Sequence, residues 1–277
     1  RIKAYEIPAG SRQSKGLNVV NVVQLMPGEK ITTILPCTVK DDEERFLCMV
    51  TEKGIIKRTR LSEFKNTRKN GIIALSIDDD DSLKFVRMTT GGDRLLLATV
   101  KGIAIQFSET DVRPMGRTAR GVKAITMREG DSVVDMAICD ENTRVLTITD
   151  TGYGRISPVS DYRMQSRGGK GIINYRTAKY NCEVAAVLPV AENTDIIMIA
   201  DDGIIIRIFA DSISELSRPG KGVRVMRTTS SDGETVRRIL SVGMAEHDEE
   251  QVNDAPEAPE ADAADTGGDE PEETAEE

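Results

Sequence analysis

Basic residues recur in this chain in a fixed relation to glycine. The pattern Arg-x-x-(Lys/Arg)-Gly occupies residues 12–16, 117–121, 167–171 and 218–222. Its cations are Arg12 and Lys15, Arg117 and Arg120, Arg167 and Lys170, and Arg218 and Lys221. A degraded copy, Thr67-Arg68-Lys69-Asn70-Gly71, has its bases shifted to Arg68 and Lys69, and the densest copy reads Gln165-Ser166-Arg167-Gly168-Gly169-Lys170-Gly171. Glycines interleaved with cations let a phosphate strand come close, while backbone N–H groups and side chains donate to its oxygens. Flanking bases include Arg113, Lys123, Arg155 and Arg163, with Arg58, Arg60, Lys65, Arg176, Arg207 and Arg224 nearby. Any one of these alone would be an ordinary solvated charge. Repeated in phase they suit the backbone of duplex DNA, where affinity comes from counterion release and depends little on sequence. The few aromatics near these basic knots give little platform for stacking single-stranded bases.

Other chemistries fit poorly. Lys170 is followed by Gly171 rather than Ser or Thr, and position 164 is Met164, so the Gly-rich knot is not a P-loop. Asp78-Asp79-Asp80-Asp81 lacks the glycine and terminal glutamate of a calcium loop and reads as an exposed turn. The single histidine, His247, lies in an acidic tail, and the four cysteines, Cys37, Cys48, Cys139 and Cys182, form no CxxC pair. A histidine-based triad and a zinc site are both disfavoured. Cys48 and Cys139 sit in apolar runs and read as buried free thiols, which favours a reducing, cytoplasmic compartment. Tyr153, Tyr162, Tyr175 and Tyr180 surround the densest knot and read as packing residues.

The elements that position the knots are themselves periodic. Turn glycines at Gly54, Gly102, Gly152 and Gly203 follow one another at intervals of 48, 50 and 51 residues, each between two short apolar runs. Such runs joined by a glycine turn predict β-hairpins near 45–50/55–59, 95–100/103–107, 144–149/153–157 and 195–200/204–209. Continuous apolarity implies burial of both faces. After each knot come closing strands, near 72–77/83–88, 122–127/133–138, 172–176/184–188 and 223–227/236–242. Each repeat is therefore a four-stranded unit of about fifty residues, stable only beside its neighbours. The expectation is an all-β, propeller-like array with almost no helix. Its blades lie near 1–44, 45–92, 93–142, 143–193 and 194–245, the first truncated because its hairpin precedes Arg1.

The formal net charge of -9 hides an asymmetry. Residues 246–277 carry 15 acids and no Lys or Arg, so residues 1–245 hold all 37 bases against the remaining 31 acids, a surplus of about six. The tail, rich in Pro, Ala, Asp and Glu, is expected to be disordered and to compete with DNA for the basic surface. No apolar stretch has the length of a membrane-spanning helix, and no membrane partner is expected.

The residues along nearly all of 1–245 resemble the C-terminal DNA-wrapping domain of the bacterial DNA gyrase A subunit, a type IIA topoisomerase component. The likeness rests on Tyr5-Glu6-Ile7-Pro8, Thr110-Asp111-Val112-Arg113 with Met115-Gly116-Arg117, Gly152-Tyr153-Gly154-Arg155 and the knot at 165–171, which resembles the gyrase A box. The resemblance implies a six-bladed β-pinwheel whose adjacent blades exchange strands and bend DNA around a basic rim. By alignment of the repeats, the chain would begin inside the second blade and carry its box-like copy in the fifth. It also implies a non-catalytic segment without cofactor or metal of its own. The catalytic tyrosine, gyrase B with its ATP and Mg2+, and a second copy of gyrase A would be reached through other parts of an A2B2 enzyme in the bacterial nucleoid. Two readings compete: the related subunit of topoisomerase IV, and a propeller used as a protein-interaction platform, which would display exposed aromatics at loop tips.

Overall fold

The computed structural model describes residues 4–11, 14–16, 18, 21, 25, 28–37, 44–66, 71–229 and 236–247. Three hairpins and a fourth strand pair form the body: β1 (Phe46–Thr51) with β2 (Ile55–Arg60), β4 (Arg94–Thr99) with β5 (Ile103–Ser108), β8 (Arg144–Thr149) with β9 (Tyr153–Pro158), and β12 (Thr194–Ala200) with β13 (Ile205–Phe209). All pair antiparallel. The closing strands are β3 (Leu83–Thr89), β7 (Val133–Cys139), β11 (Val184–Val190) and β15 (Ile239–Glu246), each beside the first strand of its own hairpin. β15 ends on Glu246, the first residue assigned above to the tail.

The strands expected directly after the knots are much shorter than their apolar runs suggest, and they belong elsewhere. Residues 72–77 form no strand. β6 (Val122–Lys123), β10 (Ile172–Ile173) and β14 (Val223–Arg224) have two residues each. Each pairs with the second hairpin strand of the preceding repeat, giving sheet orders β3-β1-β2-β6, β10-β5-β4-β7 and β11-β8-β9-β14. Among the described residues the last sheet, β13-β12-β15, has three strands. Among the described residues one short α-helix, α1 (Thr177–Tyr180), and five single-turn 3-10 helices interrupt the all-β pattern.

Strand alternation explains why no repeat stands alone. On β4, Leu95 and Leu97 join a core with Cys48, Val50 and Ile56 of the first sheet, whereas Leu96 and Ala98 face Val145 and Val187 of the third. Leu146 and Ile148 on β8 likewise turn toward Ile196 and Met198 of the fourth. Each inter-sheet core is thus half supplied by each neighbour, and side chains of period two bury both faces of a central hairpin. The closing strands lie along a shared edge, β3 against β7, β7 against β11, and β11 against β15. The exchanged strands, and the knots that precede them, occupy the opposite edge.

Candidate nucleic-acid interface

The densest knot is built onto the preceding repeat. Gln165 N donates to the Gln106 carbonyl at 2.8 Å and Gly168 N to the Ala124 carbonyl at 2.6 Å, while Thr126 N returns a bond of 2.8 Å to the Gly169 carbonyl. Arg167 spans two segments, its Nε donating to the Asp111 carbonyl at 2.9 Å and its Nη1 to the Lys123 carbonyl at 3.2 Å. The knot ends in glycine because Gly171, at φ +71°, passes so close to β5 that a Cβ would lie 2.6 Å from the Ala104 carbonyl oxygen.

The knot at 218–222 repeats this scheme one sheet further on. Arg218 Nε donates to the Asp161 carbonyl at 2.8 Å and Nη1 to the Ile173 carbonyl at 2.5 Å. Asp161 and Ile173 stand one repeat after Asp111 and Lys123. The knot at 117–121 is held through its backbone: Lys57 Nζ donates to the Arg117 carbonyl, and Ser76 Oγ to the Thr118 carbonyl at 2.7 Å. The leading arginines Arg167 and Arg218 therefore act first as inter-repeat staples. Each guanidinium spends two of its five donors on carbonyls and keeps the rest for other acceptors.

The second cations face outward. Arg120, Lys170 and Lys221 are exposed, as are Lys15, Arg113, Lys123 and Arg163, whereas Arg117, Gln165, Arg167, Gly168, Gly169, Gly171 and Arg218 are half-buried. Arg120 pairs with Asp78, which ties one acid of the 78–81 run to a knot; an exposed pair of this kind contributes little. Around Lys221 the surface is cation-rich. Its Nζ lies 4.2 Å from the centroid of the Tyr153 ring, and Arg224 Nη2 donates to Tyr153 Oη at 3.2 Å. The bond from Arg224, outweighing partial burial and assisted by Lys221, holds the Tyr153 phenol below its usual pKa. Arg12, Arg68 and Lys69 lie outside the described residues.

Arg155 departs from the sequence expectation. It is 0% exposed and cannot offer its charge to a surface phosphate. Its Nη2 donates to the Asn174 carbonyl at 2.6 Å and to Asn174 Oδ1 at 2.9 Å, while Nη1 lies 3.5 Å from the Gly220 carbonyl. It stands three residues after its turn glycine, in a strand buried on both faces, and so points into the sheet interface. Lys57 occupies the equivalent place in β2, also 0% exposed, with Nζ 2.5 Å from the Ala74 carbonyl. Burial, reinforced by nearby Arg117, pushes the Lys57 ammonium down to about 8; burial likewise lowers Arg155. Sequence reasoning missed Lys57, Asn174 and Tyr175 as parts of the site. For Lys57 the available signal was a cation three residues after the turn glycine, the offset that Arg155 repeats after Gly152. Among the described residues no group of His, Cys, Asp or Glu is arranged to hold a metal, and no helix is long and apolar enough to cross a membrane.

Antiparallel sheets completed by strands of the next repeat, with basic knots along one edge, define a propeller-type domain of the strand-exchanging, pinwheel class. Residues 1–38, 45–90, 93–140, 143–190 and 194–242 match the family described as DNA gyrase C-terminal domain, beta-propeller, and the chain belongs to that family. It is 40% identical over 244 residues to the DNA gyrase A subunit of Staphylococcus epidermidis, covering 87% of this chain and 27% of that protein. With the DNA gyrase A subunit of Staphylococcus aureus it shares 39% identity over 254 residues, covering 91% and 29% respectively. The chain thus spans less than a third of the length of these curated relatives. A solved DNA gyrase A C-terminal domain superposes with TM-score 0.72 at 25% identity, covering 87% of this chain and 76% of that one. The C-terminal domain of DNA topoisomerase IV gives TM-score 0.75 at 23% identity, covering 83% and 71%, a likeness of fold.

Proposed function

We propose that this chain binds duplex DNA without sequence preference and bends it along the knot-bearing edge, as the DNA-wrapping part of gyrase A. The observation that carries the reading is the phase of the knots: three of them dock on successive sheets at the edge away from the closing strands, each presenting an outward cation. Bending costs a few kcal/mol, which many phosphate contacts offset. The segment itself does no chemistry in this reading. Strand passage, ATP and Mg2+ belong to the rest of an A2B2 enzyme, formed with a second copy of gyrase A and with gyrase B in the bacterial cytoplasm. Identity of about 40% to gyrase A subunits favours gyrase over topoisomerase IV, whose C-terminal domain has the same fold.

The test is binding of a long duplex across a salt series, comparing the chain with a variant in which Arg113, Lys123, Arg163 and Lys170 are all alanine. These four are exposed. The slope of log K against log salt should fall by up to about 3.6, at roughly 0.9 for each phosphate no longer neutralised. An unchanged slope would refute the interface.

A further inference from the structure

We propose, on the reading that this edge wraps DNA, that Arg155 is a positioning residue that fixes two successive knots, 165–171 and 218–222, relative to each other, and that Lys57 likewise positions the knot at 117–121. Arg155 sits at a junction. Asn174, which takes its two strongest bonds, lies three residues after Gly171 and is itself anchored to the second sheet by its N–H, 2.8 Å from the Gly102 carbonyl. Tyr162 Oη donates to Asn174 Oδ1 at 2.7 Å, and Tyr175 Oη donates to the Lys221 carbonyl at 2.6 Å. The Arg155 guanidinium stands 5.5 Å from the centroid of the Tyr175 ring and reaches toward the Gly220 carbonyl. One buried network therefore touches the segment leaving the first knot and two carbonyls within the second.

The fold does not require a cation at this place. In the second sheet the equivalent residue is Ile105, also 0% exposed, with its Cδ1 3.4 Å from where a Gly169 Cβ would stand. An apolar side chain thus fills the same slot beneath the neighbouring knot. The acceptors that surround Arg155 are neutral carbonyls and an amide, and its Nε is buried without a partner. A buried cation compensated only by dipoles is costly next to a well-packed aliphatic group. What it adds over isoleucine is direction: the N–H donors of one buried cation hold carbonyls of separate segments at once, as those of Lys57 also do. Lys57 parallels it, joining Ala74, three residues after Gly71, to the carbonyl of Arg117 in the next knot.

The test uses the full chain with two linear duplexes. One of about 15 bp, roughly 50 Å long at 3.4 Å per base pair, is about a tenth of the persistence length and binds without bending. The other, of roughly 200 bp against a persistence length near 150 bp, must bend to meet several. Arg155→Ile, which copies the second sheet, is expected to bind the short duplex within about twofold of the parent but the long one about tenfold more weakly, and to lose end-to-end compaction measured by energy transfer. Arg155→Lys, which copies the first sheet, should restore both. Tyr175→Phe removes only the bond to the Lys221 carbonyl, so it should shift compaction in the same direction and keeps the question open to measurement where Arg155→Ile does not fold. Equal losses on both duplexes would show that the buried charge acts only through its field, and unchanged compaction in the folded variants would show no role; either overturns the proposal. If the parent itself bound neither duplex in a salt-sensitive way, the wrapping reading would fail first and take this inference with it.

Discussion

Gly152 and Gly203 offer a matched pair in which the contribution of strand exchange can be isolated. Both occupy the same place in the repeat, with φ of +82° and +83°, and both close a turn by donating to the carbonyl three residues before, at 3.1 Å and 3.0 Å. They differ in what lies beside them. The Gly152 carbonyl accepts from Val225 N at 2.9 Å and Met226 N at 3.2 Å, and a Cβ at 152 would fall 2.2 Å from the Met226 carbonyl oxygen. A Cβ at 203 would meet nothing within 4 Å. Alanine in the left-handed region costs about 1–2 kcal/mol, offset by roughly 0.4–1 kcal/mol through the stiffer unfolded chain. Gly203→Ala should therefore destabilise by about 1 kcal/mol. Gly152→Ala bears that cost and must also push away the segment around Met226; loss of two hydrogen bonds at about 0.5–1.5 kcal/mol each brings the total to roughly 2–4 kcal/mol. Urea unfolding followed by circular dichroism measures both. Equal destabilisation by the two substitutions would refute the argument, because it would mean that the exchanged segment contributes nothing at this contact.

Four further outcomes are expected. Burial raises the Asp135 carboxyl from 3.8 to about 6 despite the opposing pull of Arg87; the native state therefore holds a proton that the unfolded chain releases, and stability should fall by about 3 kcal/mol as pH rises through that window. Asp135→Asn should flatten this slope, and an unchanged pH profile would count against the assignment. Burial pushes the Cys48 and Cys139 thiols up to about 12 and Cys182 to about 11, whereas Cys37 is exposed, so a maleimide at neutral pH should label Cys37 first; early labelling of Cys48, read by mass spectrometry, would contradict the packing. Arg167→Lys, which cannot span the Asp111 and Lys123 carbonyls, should lower the melting temperature more than Lys170→Arg, whose site is exposed; the reverse order would remove the staple. Deleting residues 247–277, which carry 14 acids and no Lys or Arg, should tighten DNA binding several-fold at moderate salt, and unchanged affinity would exclude competition by the tail.

The hairpins were legible because their signals are local. A glycine between two apolar runs places Arg94–Thr99 and Ile103–Ser108 to within about a residue of the structure, and the same holds for the pairs around Gly54 and Gly152. The strands after the knots were not legible in length or in destination. Val122 to Met127 reads as one strand, yet only Val122–Lys123 pairs; Ala124 and Ile125 continue into the inter-sheet core, where apolarity reflects packing rather than a ladder. That Val122 pairs with Ile56 of the preceding repeat depends on a partner about sixty-six residues away, which no local pattern encodes. Of the basic residues, the exposed ones could be read from loop position. Arg155 could not, because a charge inside a buried strand looks like a surface residue until the strand's second face is seen to be covered.

The order of cations within a knot has a physical reason that composition alone does not show. In two of the three described knots the leading position reaches two carbonyls on separate segments of the previous repeat, Arg167 and Arg218 both doing so through Nε and Nη1, the geometry that a rigid guanidinium supplies. The following position, Lys170 or Lys221, leads straight into the glycine where the backbone passes against the preceding sheet, and its side chain is left exposed, that of Lys221 lying over the Tyr153 ring. A fixed fork followed by an exposed point charge separates two tasks that compete when one residue performs both. The staple orders the knot before any ligand arrives, so ordering entropy is largely spent on folding. On the proposed function, the exposed lysine then exchanges counterions for phosphate with little rearrangement, as binding without sequence preference would demand.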